Sequence, residues 1–236
     1  MTIRRPARTG AALVLLALVL VFVALGVWQV QRRTWKHALI ATVEGRVHAA
    51  PVAPPAPDNL APAAVADLAY LRISVRGRYR SGPDILARAV SDLGAGYWVM
   101  TPFDTDTGYT ILVNRGFVAQ DAKPRAGWRP AGSVVLTGLL RPSEPGGGFL
   151  RANDPAAGRW YSRDVAAIAR AVKLGPVAPY FVDADRLPGG DGPVGGLTVI
   201  RFSDNHAVYA LTWFVMALMS AFGAWRLLRP VRSLAD

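Results

Sequence analysis

One histidine stands where the chain changes from a strand-like run into an apolar stretch long enough to cross a membrane. His206 occupies this junction in the segment from Gly195 to Trp225. A neutral imidazole can ligate haem iron or another metal. On a helix, His206, Tyr209 and Trp213 fall within about 60° of arc, so one stripe would carry a metal ligand and two aromatic rings. The spacing also fits an interfacial histidine that anchors the helix beside an aromatic belt, and both interpretations stay open at this point.

The same predicted helix contains small residues after His206. They are Ala210, Ala217, Ser220 and Gly223. Small side chains let a neighbouring structure approach a helix backbone closely. Either another helix or a flat macrocycle could therefore use this space.

No arrangement typical of an enzyme accompanies His206. The other two histidines are His37 and His48, no two are spaced as in a zinc metalloprotease helix, and no Gly-x-Ser-x-Gly motif occurs. The chain has no cysteine, which excludes thiolate catalysis, disulfides and metal–thiolate sites. Asp183 and Asp185 could form a carboxylate dyad, but nothing nearby predicts a raised pKa, so a solvated strand end is favoured. We therefore expect a protein that is not an enzyme, with His37 and His48 as surface residues.

Two apolar segments predict transmembrane helices at residues 10–30 and 206–225. Each matches the roughly 20 residues that cross a hydrocarbon core about 30 Å thick. A cleaved signal peptide is the alternative for the first segment, because arginines precede it. The sequence Val27–Val30 is a poor cleavage context, and Trp28 within it favours an interfacial anchor.

The distribution of charge predicts an orientation. Short basic tails at residues 1–9 and 226–236 are expected in the cytoplasm, and residues 31–205 in the periplasm, because long domains cross a membrane regardless of charge. We therefore expect a multi-pass protein of the bacterial inner membrane with both termini cytoplasmic. The net charge of +11 suits anionic lipid headgroups or an acidic partner surface. The sequence contains no dense run of basic residues interleaved with aromatic ones, so nucleic-acid binding is not predicted.

The middle segment predicts a β-rich (α+β) domain with its own core. Leu71–Tyr79 alternates apolar and polar residues, as a half-buried strand does. Other strands are predicted at residues 84–90, 97–103, 107–118, 133–140, 180–183 and 197–202, with a short one at 160–161. Asp164 is expected to cap a helix over Val165–Lys173. Prolines predict a loop over Ala49–Pro62, and Thr34–Val47 either continues the first helix or forms a separate one.

Motifs along nearly the whole chain resemble the surfeit locus protein 1 family. In order they are Leu25–Arg32 with Trp35-Lys36, Gly77-Arg78-Tyr79, Asn114–Val118 preceded by Val113, Gly138–Arg141, Gly195–Thr198, and Asn205-His206 with Tyr209 and Thr212-Trp213. Single pieces are weak, but their order within a helix–domain–helix arrangement is specific. The chain departs from common family forms at Phe117, Ala119, Asp204 and Ala207, while the aromatic bulk and the histidine are kept.

The resemblance implies a non-enzymatic assembly factor of cytochrome c oxidase, a respiratory-chain chaperone that assists haem a binding or insertion into catalytic subunit I. It implies His206 as the iron ligand of a transiently bound haem a. Tyr209 and Trp213 would stack on the ring, and Arg32, Arg33 or Arg201 would meet the propionates. The implied partners are oxidase subunit I, haem a synthase and membrane lipid.

Two alternatives accompany this interpretation. The first is a cofactor-free membrane scaffold that stabilises an oxidase assembly intermediate. The second concerns the Asn114-Arg115-Gly116 motif, where a structural role is favoured over a partner contact. Gly116 would allow a turn or bulge, and Arg115 would pair with an aspartate or a carbonyl.

Overall fold

The computed structural model describes residues 5–122, 129–148, 150–186, 192–198 and 204–229. The chain forms two compact units, a helical unit from residues 1–42 with 201–236 and a β unit from residues 43–200. The helices are α1 (Arg5–His48), α2 (Pro62–Asp67), α3 (Val165–Ala171) and α4 (His206–Leu228). The strands are β1 (Arg72–Tyr79), β2 (Ile85–Ser91), β3 (Gly94–Thr105), β4 (Thr110–Ala119), β5 (Val134–Pro142) and β6 (Val177–Ala184).

The first helix is longer than its apolar segment. It runs unbroken for 44 residues, so Thr34–Val47 continues the helix and forms no separate one. Its proline, Pro6, lies in the first turn, where the missing N–H costs no intrahelical hydrogen bond. Among the described residues, α1 and α4 are the two helices long and apolar enough to cross a membrane.

Glycines allow α1 and α4 to meet closely within the helical unit. A Cβ atom on Gly26 would lie 2.6 Å from the ring of Phe214, and one on Gly223 would lie 3.1 Å from Leu15. The small residues singled out from the sequence are buried or half-buried: Ala210, Ala217, Ser220 and Gly223. Of these residues, Gly223 lies against Leu15 of α1.

Five strands of the β unit close into a ring. The sheet order is β1-β5-β6-β4-β3-β2, and β1 also pairs with β3, which joins the two sides of the sheet. The β4–β6 pair is parallel and the other pairs are antiparallel. The β1–β3 junction is tight, because a Cβ atom on Gly77 would lie 2.3 Å from the carbonyl oxygen of Asp104. Glycine is therefore required where the ring closes.

Apolar residues fill the ring and cover one outer side of it. The inner cluster contains Ile73, Phe103, Ile111, Val113, Leu140, Tyr180 and Val182. The outer cluster contains Ile85, Met100, Leu112, Trp160, Ile168 and Phe181, so α3 packs over the sheet there. Nine of the ten residues of β4 are buried, because its two faces serve both clusters. A strand covered on both faces reads as a continuous apolar run.

Most of the predicted β elements are confirmed, with shifts of a few residues at their ends. Asp164 caps α3, because its carboxylate accepts a hydrogen bond from the backbone N–H of Ala167 at 3.0 Å. The predicted strand at 160–161 is an isolated bridge between Trp160 and Ala87.

Two elements differ from the prediction. The proline-rich region 49–62 carries a 3₁₀ turn at Pro57–Asn59, and α2 begins at its end. Proline is tolerated in a first helical turn, which explains both elements. Leu197 and Thr198 lie in no strand, and the rest of the strand predicted at 197–202 lies outside the described residues.

Candidate functional site

His206 is the first residue of α4, and its imidazole is hydrogen-bonded to α1. Its Nδ1 atom lies 2.7 Å from Oε1 of Gln29, which is 177 residues away in the sequence. The His206 side chain is half-buried. Its Nε2 atom makes no hydrogen bond to any residue that the structure describes. The imidazole is thus held on one side by the protein.

Asp204 organises the residues around this helix start. One carboxylate oxygen accepts the backbone N–H of His206, the first residue of α4, at 3.1 Å. The other oxygen lies 2.6 Å from Nε2 of His37 and accepts Nε of Arg33 at 3.3 Å. The hydrogen bond with His37, together with those from the backbone N–H of His206 and from Arg33, lowers the pKa of Asp204 to about 2. The carboxylate therefore stays ionised throughout the physiological range.

His37 belongs to this cluster, although its sequence context predicted an ordinary surface residue. Arg33 and His37 lie four residues apart on α1, so they share one helix face. That spacing was the available indication that both could meet one acceptor. It could not show that the acceptor is Asp204, which follows 167 residues later.

The predicted ring-stacking residues have different surroundings. Trp213 stacks on Phe22 of α1, with ring centroids 5.7 Å apart and planes inclined by 25°. Tyr209 is 55 % exposed, so its ring is accessible. The Arg32 guanidinium lies 4.0 Å from the centroid of the Trp35 ring. Arg201, the third predicted propionate partner, lies outside the described residues.

The donor set suits one kind of cofactor. In the described part of the chain, no three histidine or acidic side chains are grouped as a metal ion would need. A haem supplies four nitrogen ligands of its own, so a single imidazole such as His206 is sufficient to hold its iron axially. The residues present therefore fit a haem and do not fit a metal ion held by protein ligands alone.

A second polar cluster lies in the β unit and centres on Asp183. Its carboxylate accepts hydrogen bonds from Asn114 at 2.8 Å, Thr198 at 2.9 Å, Arg141 at 3.0 Å and Arg163 at 3.2 Å. Asp183 is 6 % exposed, so the predicted solvated strand end is wrong for this residue. β6 lies between β4 and β5, so it places Asp183 among side chains from both neighbouring strands.

Arg163 links this cluster to a second carboxylate. Its Nε and Nη2 atoms donate to Glu144 at 3.0 and 2.5 Å. Burial works against both charged forms, but the paired hydrogen bonds outweigh it, so the pKa of Glu144 is lowered and that of Arg163 is raised. Two guanidiniums thus face two carboxylates. The cluster is a charge-balanced network of hydrogen-bonded ion pairs.

A cavity of about 240 Å³ adjoins the Asp183 cluster. Its lining includes Trp98, Asn114, Arg141, Arg163, Asp183 and Thr198.

Asp185 does not join Asp183 in a dyad, because it pairs with Arg72 at 2.5 Å.

The Asn114-Arg115-Gly116 motif has the structural role favoured from the sequence. The Asn114 side-chain oxygen accepts the backbone N–H of Gly116 at 3.1 Å. Gly116 has a φ of 130°, and a Cβ atom there would lie 2.3 Å from the backbone of Val194. The Arg115 side chain is 4 % exposed and pairs with Asp84 at 3.4 Å. A side chain this buried offers no surface to a partner protein.

Sequence similarity to known proteins extends over both units of the chain. The SURF1 family model matches residues 16–218. The chain belongs to the SURF1 family. It is 36 % identical over 220 residues to Surfeit locus protein 1 of Mus musculus, covering 84 % of this chain and 69 % of the mouse protein. It is 34 % identical over 232 residues to the human protein of the same name, covering 89 % of this chain and 74 % of that one.

A third relative extends the comparison beyond vertebrates. The SURF1-like protein of Monosiga brevicollis is 36 % identical over 232 residues, covering 91 % of this chain and 86 % of the relative. The SURF1 match includes Gln29, His206 and the whole Asp183 cluster, and it ends ten residues before the last residue of α4. The resemblance to the surfeit locus protein 1 family is thereby confirmed.

Proposed function

We propose that this SURF1 family chain is an assembly factor for cytochrome c oxidase, without enzymatic activity, that assists haem a binding or insertion into catalytic subunit I. The observation that supports it most directly is the half-buried imidazole of His206, which is hydrogen-bonded through Nδ1 and makes no hydrogen bond through Nε2 to any described residue. A single fixed imidazole at the start of an apolar helix suits an amphiphilic haem.

The proposal includes insertion in the bacterial inner membrane. The apolar part of α1 and the length of α4 would form two spans, with both termini in the cytoplasm and the β unit in the periplasm. In this orientation His206 begins the second span at the outer surface of the bilayer. A haem with an apolar tail and charged propionates would then find both of its environments.

The residues of the helical unit would divide the work of binding. When bound, haem a would supply an iron that takes an imidazole ligand and two propionates that take positive charge. His206 would hold the iron, and the exposed ring of Tyr209 would stack on the macrocycle. Trp213 would act through its stack with Phe22, which fixes the adjoining helix face. Arg32 and Arg33 would provide positive charge for the propionates.

A cofactor-free scaffold is the second candidate. It is favoured by the contact of Gly223 on α4 with Leu15 on α1, because this part of the small-residue face is used for helix packing. In this case the protein would stabilise an oxidase assembly intermediate through protein contacts alone.

Purification from membranes of cells that make haem a separates the two candidates. The wild-type protein should carry a Soret band and co-purify with oxidase subunit I and haem a synthase. His206→Ala should lose the band, whereas the control His48→Ala should keep it, because the His48 ring bonds to the carbonyl of Glu44 in its own helix and to no other residue that the structure describes. An unchanged spectrum in His206→Ala would remove that residue as the ligand. Full oxidase yield in the same variant would favour the scaffold.

A further inference from the structure

We propose that Gln29 sets the tautomer of His206, so that Nδ1 carries the proton and Nε2 keeps its lone pair for a metal ligand bond. The identity of the metal rests on the proposed function. The tautomer itself is a property of the protein alone and can be measured without any haem.

With the side-chain oxygen of Gln29 facing the ring, the contact assigns the proton of a neutral His206 imidazole. Nδ1 of His206 and Oε1 of Gln29 are 2.7 Å apart, which is a full hydrogen bond. An amide oxygen can only accept, so Nδ1 must donate. A neutral imidazole has a single N–H, and Nε2 is therefore unprotonated. A neutral histidine without such an acceptor is mainly protonated at Nε2, the reverse of what an Nε2 ligand requires.

The neighbouring charges do not compete for the ring. Asp204 is the nearest anionic partner of this segment, and it bonds to the backbone N–H of His206, to His37 and to Arg33. The backbone and the ring of His206 are thus held by two different residues, Asp204 and Gln29. This division fixes the start of α4 while the imidazole keeps its neutral acceptor.

Gln29 would therefore be a positioning residue that acts through His206. Acceptors behind a ligating histidine fix its ring and raise its basicity, and their loss typically costs about 10- to 100-fold in metal affinity. It follows that α1 supplies half of the site, although the iron ligand lies on α4. The helical unit would bind haem poorly if either α1 or α4 were replaced.

The first test measures the tautomer in the protein free of haem. The full chain is labelled with ¹⁵N-histidine in detergent micelles, and His206 is assigned by its loss in His206→Ala. We expect a protonated Nδ1 and an unprotonated Nε2. Gln29→Met keeps the length and helix propensity of the side chain but removes the amide acceptor, so it should shift His206 toward the Nε2–H form. The matched control is Gln31→Met, because Gln31 is an exposed residue on the same helix.

The second test uses haem a as the probe. Gln29→Met should lower haem occupancy about tenfold or more, while Gln31→Met should not change it. Gln29→Glu restores an acceptor and should keep the haem, with a higher iron–histidine stretching frequency in resonance Raman spectra. A merely structural role for Gln29 would not change that frequency.

The outcomes separate the two proposals. A wild-type His206 protonated at Nε2, or a tautomer unchanged in Gln29→Met, overturns the role of Gln29. A wild-type protein with the expected tautomer but no bound haem supports the role of Gln29 and overturns the proposed cofactor. Equal circular dichroism of the variants and the wild type shows that each spectrum reports on a folded protein.

Discussion

At the scale of single residues, Asp204 is the anion on which the start of α4 depends. Its carboxylate accepts the backbone N–H of His206 and bonds to the side chains of Arg33 and His37 on α1. An asparagine at this position would have one acceptor oxygen and no charge. The aspartate of this chain can hold His37 and Arg33 together because it offers a second charged oxygen.

The low pKa of Asp204 predicts a measurable pH dependence. A carboxyl whose pKa is lowered on folding stabilises the fold above its ordinary pKa near 4, and this stabilisation is lost as the pH falls through the folded value of about 2. A ¹³C titration of the full chain should give Asp204 a midpoint near 2. His37→Ala should raise that midpoint, because the largest cause of the shift is removed. His48→Ala should leave it unchanged, and a midpoint near 4 in the wild type would contradict the arrangement.

The Asp183 cluster leads to a prediction about stability. Asp183→Ala leaves Arg141 and Arg163 without a shared carboxylate in a mostly buried site, and breaking a buried pair costs about 3–5 kcal/mol. The control is Asp185→Ala, which removes a partly exposed pair with Arg72 worth about 1 kcal/mol or less. Thermal unfolding of the full chain, followed by circular dichroism, should show a far larger drop for the first variant. Equal drops would mean that the network carries no special stability.

At the scale of elements, the close approach of α1 and α4 depends on Gly26. Gly26→Leu would force a side chain into the Phe214 ring, which lies 2.6 Å from the Cβ position, and overpacking of this kind costs about 1–3 kcal/mol. The chain has no cysteine, so Leu15→Cys with Gly223→Cys can report helix contact through a short bismaleimide cross-linker. Cross-linking should fall in Gly26→Leu and persist in Gly10→Ala, whose added Cβ meets nothing within 4 Å. Undiminished cross-linking in Gly26→Leu would show that the helices meet elsewhere.

Elements defined by nearby residues were predictable from the sequence. The alternation of β1, the cap on α3 and the apolar lengths of α1 and α4 are all local patterns. The prolines at residues 49–62 predicted a loop, but two of them begin short helical elements. A proline that breaks a strand is also suitable in the first turn of a helix.

Contacts between distant residues were beyond the sequence analysis. The parallel pairing of β4 with β6 joins segments about 70 residues apart, and the contact between Gln29 and His206 joins residues 177 apart. No periodicity encodes such a contact. His206 itself was found because its position at a helix start is local, whereas the identity of its hydrogen-bond partner, Gln29, is not. The predicted roles of Tyr209, Trp213 and Arg32 stay predictions.

At the scale of the whole molecule, the proposed orientation can be tested with the same cysteine-free chain. A single cysteine at Ala53, in the exposed proline-rich region of the β unit, should react in intact cells with a membrane-impermeant maleimide. A single cysteine at residue 2 or 235 should react only after the membrane is broken. The reverse result would put the β unit in the cytoplasm and overturn both the orientation and the proposed haem site.

The position of β6 has a consequence for synthesis. This strand is the last of the six to leave the ribosome, yet it lies between β4 and β5. Until residue 184 has emerged, the nascent chain has a gap at the middle of its sheet, and Asn114, Arg141 and Arg163 await the carboxylate of Asp183. A premature stop after β5 would therefore abolish the entire β unit and not merely shorten it.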